Sequence, residues 1–187
     1  MLRATDANIF FAPGIDPGTL ILTALPQFPE SDLSSLFLPE TDTFRASEGH
    51  FLFVDIGIHR FPALCPGTQI PAGPVAPITF LDRFLEDRLD AIRRFSHAIN
   101  GRRSVEDLRV TPYRRNNLRQ MLRVIDGRRS GATFQEIAEI VLRADHVSAT
   151  AWKSMPERDT VMRRFREGMK YVEGAYRSLL YRHHPLP

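Results

Sequence analysis

Residues 131–175, GATFQEIAEIVLRADHVSATAWKSMPERDTVMRRFREGMKYVEGA, decide how this chain is read. Thr133 and Glu136 stand at the spacing of a capping box, in which each side chain satisfies a backbone N–H that the first helical turn leaves unpaired. A helix is therefore expected from Phe134. Phe134, Ile137, Ala138, Val141 and Leu142 recur on its buried side, and the small Ala138 lets a second helix approach closely. The segment LRADHVSATAWK that follows is far longer than the ~3–4-residue turn of a tight helix-turn-helix. Ser154 and Glu157 then repeat the capping-box spacing, with Pro156 in the first turn, where its missing N–H costs little. Val161, Met162, Phe165, Met169, Val172, Tyr176 and Leu179 mark one face of the long helix this predicts. At ~100° per residue, Thr160, Arg163, Glu167 and Lys170 fall opposite, flanked by Arg164 and Arg166. The pattern is a helix-turn-helix with an extended turn, whose second helix presents a polar face of the kind that enters a major groove. Plain solvation of an amphipathic helix also produces a basic face; the capped helix ahead of it favours DNA.

Charge points the same way. The 187 residues carry 25 Lys+Arg against 22 Asp+Glu, a net charge of +3 that conceals an asymmetry. Residues 1–76 hold three Arg and eight carboxylates, net −5, whereas residues 77–187 hold 22 Lys+Arg and 14 carboxylates, net +8. A basic half of this kind suits phosphate neutralisation and salt-sensitive association. Only Lys153 and Lys170 are lysine. Arginine suits bidentate contact to phosphate or guanine, although a GC-rich genome also favours it without any function.

The amino-terminal part has a different texture. The apolar run from Thr19 to Leu25 and the alternating HFLFVDIGIHRF, with Leu52, Val54, Ile56 and Ile58 on one face, predict strands of a small antiparallel sheet. PQFPESD, LPETDTF and the proline-rich segment from Pro62 to Pro77 predict long connections without regular helix. Thr79 with Asp82 predicts the start of a helix whose Leu81, Phe84, Leu85, Leu89, Ile92, Phe95 and Ile99 pack on the sheet, ending at Gly101. Thr111 and Pro112 open another helix, with Leu118, Met121, Leu122 and Ile125 inward and Gly127 as its stop, supporting a three-helix core. The expected fold class is α+β: a small antiparallel β-sheet with a packed helix over residues 1–110, then an all-α helix-turn-helix domain with an extended turn and a long carboxy-terminal helix over residues 111–187.

The run LRQMLRVIDGRRSGATFQEIAEIVL, the isolated Trp152, and ERDTVMRRFREG with EGAYRSLL together resemble a proteobacterial family of mobile-element regulators, formerly a domain of unknown function, that includes the excision activator FseA and the antiactivator QseM. The similarity is specific over the final seventy residues or so and weaker upstream. It implies an extended-turn helix-turn-helix with one face for DNA and another for a separate small activator domain. Members with a basic face bind DNA, and the antiactivator binds that domain through an acidic face. Residues 111–187 carry 15 Lys+Arg against eight carboxylates, on the basic side. The resemblance implies a further small domain ahead of this region in the activators of the family, and the expectation is that this chain starts too late to contain it.

The expected ligand is double-stranded DNA. Arg115, Arg119 and Arg123 on the supporting helix, with Arg128 and Arg129 in the loop before the capped helix, are placed for phosphate, which positions without specifying. Specificity is expected from Thr160, Arg163 and Arg164, with Lys153 or Ser154 near the helix start. Arg158 lies only ~20° from Phe165 on the helical wheel, so an ion pair with Glu136 or Glu139 is expected instead. Trp152 is expected to plug the space beneath the extended turn.

Other constellations carry little chemistry. His183 and His184 lack Cys or His partners at zinc spacing. His50 and His59 flank a strand, and Cys65, the sole cysteine, has no basic neighbour in sequence and excludes a disulfide framework. No nucleophile elbow or phosphate-binding glycine loop is present. Neither a cofactor nor a metal is expected, nor catalysis; no signal peptide or membrane-length apolar run appears, which predicts a cytoplasmic protein. The reading is a DNA-binding regulator of excision or conjugative transfer, with a protein-binding antiactivator as the alternative. A cryptic enzyme or adaptor remains open for the acidic sheet region alone.

Overall fold

Alternating apolar residues draw five short strands into one sheet. They are β1 (Leu20–Ala24), β2 (Thr43–Ala46), β3 (Gly49–Ile56), β4 (His59–Pro66) and β5 (Val75–Ile78), in the order β2-β3-β4-β1-β5. Among the described residues five α-helices follow: α1 (Leu85–Ile99), α2 (Pro112–Arg129), α3 (Phe134–Val141), the single turn α4 (Ala149–Trp152) and α5 (Pro156–Val172), then a 3-10 turn, Ala175–Leu179. This computed structural model describes residues 8–25, 38, 43–103, 107 and 109–181. The chain divides into two compact units, Met1–Glu106 with Leu180–Pro187, and Asp107–Leu179. The α+β class holds, with one addition to the antiparallel scheme: β1 pairs with β4 in parallel, Leu20 opposite Ala63.

In the first unit, Leu20, Leu22, Leu52, Val54, Phe61, Ala63 and Cys65 form one buried core with Ala91 and Phe95 of α1. The Phe61 and Phe95 rings meet edge to face at 5.2 Å. On the opposite face, Phe10 stacks on Phe53 at 4.7 Å. The expected single strand through Ile58 is instead a hairpin. Ile56 pairs with His59, leaving Gly57 and Ile58 as a two-residue turn. Gly57 has φ of +59° and Ile58 is 94% exposed; the left-handed position admits glycine easily and reverses the chain after Ile56. The prolines do exclude helix but not strand. Pro62 and Pro66 lie within β4, and Pro77 lies on β5 at the sheet edge, where a missing N–H is tolerated.

Helix α1 starts later than expected and is rotated. The Asp82 carboxylate accepts from the Phe84 N–H, a local turn that competes with helix, so α1 begins at Leu85 without a side-chain cap. Leu81, Leu89 and Ile99 are exposed, whereas Asp87, Arg88, Asp90, Ala91 and Phe95 are buried. The cause is Arg88. Its guanidinium donates to Asp82 at 2.8 Å and to the Pro13 carbonyl at 2.9 Å, and lies 5.0 Å from the centre of the Phe80 ring. With its hydrogen bonds made, this charge is buried at small cost, which counting apolar residues does not anticipate. The Asp82 carboxyl is held below the ordinary carboxylate range, chiefly by Arg88.

The second unit is the expected three-helix core. Val124, Ile137, Ala138 and Val161 are buried at its centre, with Phe134, Val141, Leu142, Trp152, Met162 and Phe165 packed around them. Thr111 caps α2 by accepting from the Arg114 N–H, with Pro112 at the first position. Gly127 does not stop α2, which runs to Arg129. A Cβ at Gly127 would stand 2.9 Å from Ile137 Cγ1, so the glycine marks a close helix crossing. Leu122 is 55% exposed, and Val124 takes the inward place. The last helix is shorter than expected: Gly174 has φ of +128°, α5 ends at Val172, and Tyr176 and Leu179 belong to the 3-10 turn.

The capping box that opens α3 is complete. Thr133 Oγ1 accepts from the Glu136 N–H at 3.2 Å, and Glu136 Oε2 accepts from the Thr133 N–H at 2.7 Å. These hydrogen bonds hold the Glu136 carboxyl below its usual range, the backbone N–H of Thr133 contributing most. A lowered folded-state pKa gives a contribution that is present above the unfolded value and lost as pH falls through the folded one. Thr133→Ala is expected to lower stability by about 1 kcal/mol. The deficit of Glu136→Ala should narrow as pH falls through the acid range. Both can be followed in denaturant titrations by the fluorescence of Trp152; a Glu136→Ala deficit independent of pH would contradict the assignment.

Candidate nucleic-acid interface

The connection between α3 and α5 is an ordered bridge. Gln135 Nε2 donates to the Val147 carbonyl at 2.7 Å, and His146 Nδ1 lies 2.8 Å from Glu139 Oε1, tying both ends of the early turn to α3. Ser148 caps α4 by accepting from the Ala151 N–H. Trp152, at the end of α4, packs against the three-helix core, as expected of a plug. Arg143 follows α3 with φ of +57°, alone in this region among the described non-glycine residues.

The second capping box is not formed. Met155 occupies the N-cap of α5 without a side-chain hydrogen bond, and Ser154 Oγ donates to the Ala151 carbonyl at 3.0 Å. The one-turn α4 supplies that carbonyl and so diverts the serine backward. Glu157 Oε2 is buried without a hydrogen-bond partner. Pro156 nevertheless opens the helix as its position predicts.

Val161 and Gly168 set the rotation of α5, both being buried. Counting ~100° per residue from Val161 places Asp159, Arg163, Arg166 and Lys170 within an arc of ~60° on the far side. All four are exposed. Among the described residues, Arg163, Arg166 and Lys170 have no ion-pair partner, so three cations face solvent along about two turns of helix. Sequence reasoning chose Arg163 for the site and left out Arg166 and Lys170; the angle count from Val161 contained the signal. Thr160 is half-buried ~60° from the nearer edge of this arc, and Arg164 lies on the side of the buried Val161 and Gly168, half-buried, with its Nη1 withdrawn from solvent without a hydrogen-bond partner. Lys153 and Ser154 are exposed just ahead of α5.

Arg115, Arg119 and Arg123 are exposed along α2 at intervals of four residues and so form one stripe. Arg128 and Arg129 belong to the last turn of α2 and not to a loop, because the helix continues past Gly127. Arg128 is tethered. Its Nη1 donates to the Ala132 carbonyl at 2.6 Å, and its guanidinium lies 4.6 Å from the centre of the Phe134 ring. Arg158 pairs with Asp159 at 3.6 Å instead of with Glu136 or Glu139, which the capping box and His146 engage.

A second feature of this unit is an apolar groove of about 310 Å³ between α2, α5 and the 3-10 turn, lined by Leu118, Met121, Ile125, Val172, Tyr176 and Leu179 among others. On α5 its lining falls on the side away from the basic arc.

The remaining reactive groups stand elsewhere. Cys65 lies buried in the sheet core, where burial pushes its thiol up to about 11 and keeps it protonated at neutral pH. His50 Nε2 lies 3.0 Å from the Thr68 carbonyl, and the His59 ring packs near Phe61. His183 and His184 lie outside the described residues. Among the described residues no three His, Cys, Asp or Glu side chains converge on a metal position, and no helix is long and apolar enough to cross a membrane.

No curated protein and no solved structure is similar enough to the chain to count as a match. A family model does match. Residues 78–181, more than half of the chain, fit the T6SS transcription factor DNA-binding domain, a family defined by binding DNA and not by catalysis. The matched span contains α1, the three-helix core and every cation of the α2 and α5 faces. The chain therefore belongs to the T6SS transcription factor DNA-binding domain family and is a DNA-binding regulator.

Proposed function

We propose that α5 lies in the major groove with Arg163, Arg166 and Lys170 toward base edges, Lys153, Ser154 and Thr160 beside them, and Arg164 at the protein-facing margin of the helix. Arg115, Arg119, Arg123 and Arg129 neutralise flanking phosphates, and the tethered Arg128 fixes the start of α3 beside them. The observation that carries this reading is the exposed arc of α5, where three cations without ion-pair partners among the described residues share one side of a helix whose rotation is fixed by Val161 and Gly168. Arginine on such a face matches guanine edges, and arginine on a supporting helix matches phosphate. The target we assign is excision and conjugative transfer of a mobile element, with this chain as the DNA-reading part of the activator. That assignment rests on the sequence resemblance to the excision activators.

Fluorescence anisotropy against salt tests the interface. Each of Arg115→Ala, Arg119→Ala and Arg123→Ala should flatten the log–log salt slope by ~0.9 and weaken all sequences alike. Arg163→Ala should cost about 1–3 kcal/mol on a specific site and relax one base pair. A salt-independent interaction, or equal losses on specific and random DNA from every variant, would contradict the arrangement.

The apolar groove favours a second reading, in which a partner protein domain docks here and the chain acts as an antiactivator. Leu122, Val172 and Tyr176 are 55%, 45% and 38% exposed at its margin. In the first unit, Leu81, Leu89 and Ile99 of the α1 region are also exposed. A separate small activator domain is the partner the resemblance implies. A reporter assay in a host lacking the element distinguishes the two. As the DNA-reading part, the chain should activate strongly only when the domain is supplied; repression of an intact activator without DNA binding would instead favour the antiactivator.

A further inference from the structure

One residue on the basic arc has the wrong sign for phosphate. Asp159 lies in the first turn of α5, four residues before Arg163 on the same side of the helix, and its side chain is 84% exposed. Its one ion pair among the described residues, to Arg158, is long at 3.6 Å and solvated, and such pairs hold a carboxylate weakly. Near the phosphates of a duplex, a free carboxylate is repelled by every sequence. That repulsion is offset only where the carboxylate accepts a hydrogen bond, and in the major groove the donors are the amino groups of cytosine and adenine. The amino-terminal turns of a recognition helix are the part that reaches base edges.

We infer that Asp159 is a specificity-determining residue: it selects a cytosine, through the base's N4 amino group, and penalises sites that lack a donor there. The inference rests on the reading that α5 enters the major groove. Guanine contact by Arg163 and cytosine contact by Asp159 would then fall on neighbouring base pairs, because residues four apart on one helical face stand close together. An acidic residue in a first turn also favours the helix dipole. That role affects stability and leaves base preference untouched, so base preference is the discriminating readout.

The experiment is selection of binding sites from a random duplex pool with the full chain, comparing wild type, Asp159→Ala, Asp159→Asn, Arg163→Ala and Arg166→Ala, each checked for folding by Trp152 fluorescence. Wild-type sites should contain a C·G pair at which Asp159→Ala loses discrimination by about tenfold or more, while the other positions keep theirs. The same variant should bind random duplex more tightly. Asp159→Asn should move that single position toward adenine, which an amide pairs with through two hydrogen bonds. If both Asp159 variants select the wild-type motif unchanged while Arg163→Ala and Arg166→Ala lose affinity, the inference fails and the α5 reading stands. Should all four variants leave affinity and motif unchanged, α5 does not read DNA and both fall.

Discussion

The close approach of three helices governs everything that the second unit presents to solvent. Helices α2 and α3 meet where Gly127 faces Ile137, and α2 and α5 meet where Gly168 faces Met121 and Ile125; an added Cβ at Gly168 would stand 2.8 Å from Ile125 Cδ1. Interiors packed to this density do not yield without displacing neighbours. Ala138 and Val161, both at 0% exposure, complete the contact. Since α5 must turn Val161 and Gly168 inward, its other side is determined: Arg163, Arg166 and Lys170 face out together. The basic arc is thus a consequence of packing, and small residues at the crossings are its ultimate cause.

The two units use charge in opposite ways. The first buries it: Arg88, 4% exposed, joins Asp82, the Pro13 carbonyl and the Phe80 ring, so an arginine anchors the segment ahead of the sheet to α1. Such a group contributes local order and is little affected by salt. The second displays charge on α2 and α5, with few partners among the described residues. Exposed cations contribute little to folding, but they attract a polyanion over the distance that screening allows. Tethering of Arg128 to Ala132 and Phe134 is an intermediate case, in which a cation is oriented while still exposed.

Much of this was legible in the sequence, for identifiable reasons. Capping at Thr133 and at Thr111 is a local transaction between residues three apart, so sequence spacing contained it. The Ser154 box had the same spacing and failed, because α4 places the Ala151 carbonyl within reach of the serine hydroxyl. Gly127 was read as a helix stop on the strength of its residue type, whereas its role depends on Ile137 ten residues away. Periodicity misplaces the face of α1 because Arg88 counts as polar in it, and only the fold brings Asp82 and the Pro13 carbonyl to that side chain. Similarly, alternation ran through Gly57 without announcing the hairpin. For the candidate interface, residue types and helical angles point to the arginines of α2 and to Arg163, all of which are exposed. Helical angles also place Lys170 opposite the apolar face and Arg166 beside it, whereas the half-burial of Arg164 depends on the rotation of α5, which its contacts with α2 fix.

In the proposed complex the outward side of α5 is the surface that meets DNA. This placement is tested most directly by backbone amide chemical-shift mapping of the full chain titrated with a duplex at low salt. The largest perturbations should fall on Asp159, Arg163, Arg166 and Lys170, with smaller ones along Arg115, Arg119 and Arg123 and at the start of α3. Perturbations concentrated instead around Leu122, Val172 and Tyr176, or within the sheet, would contradict it.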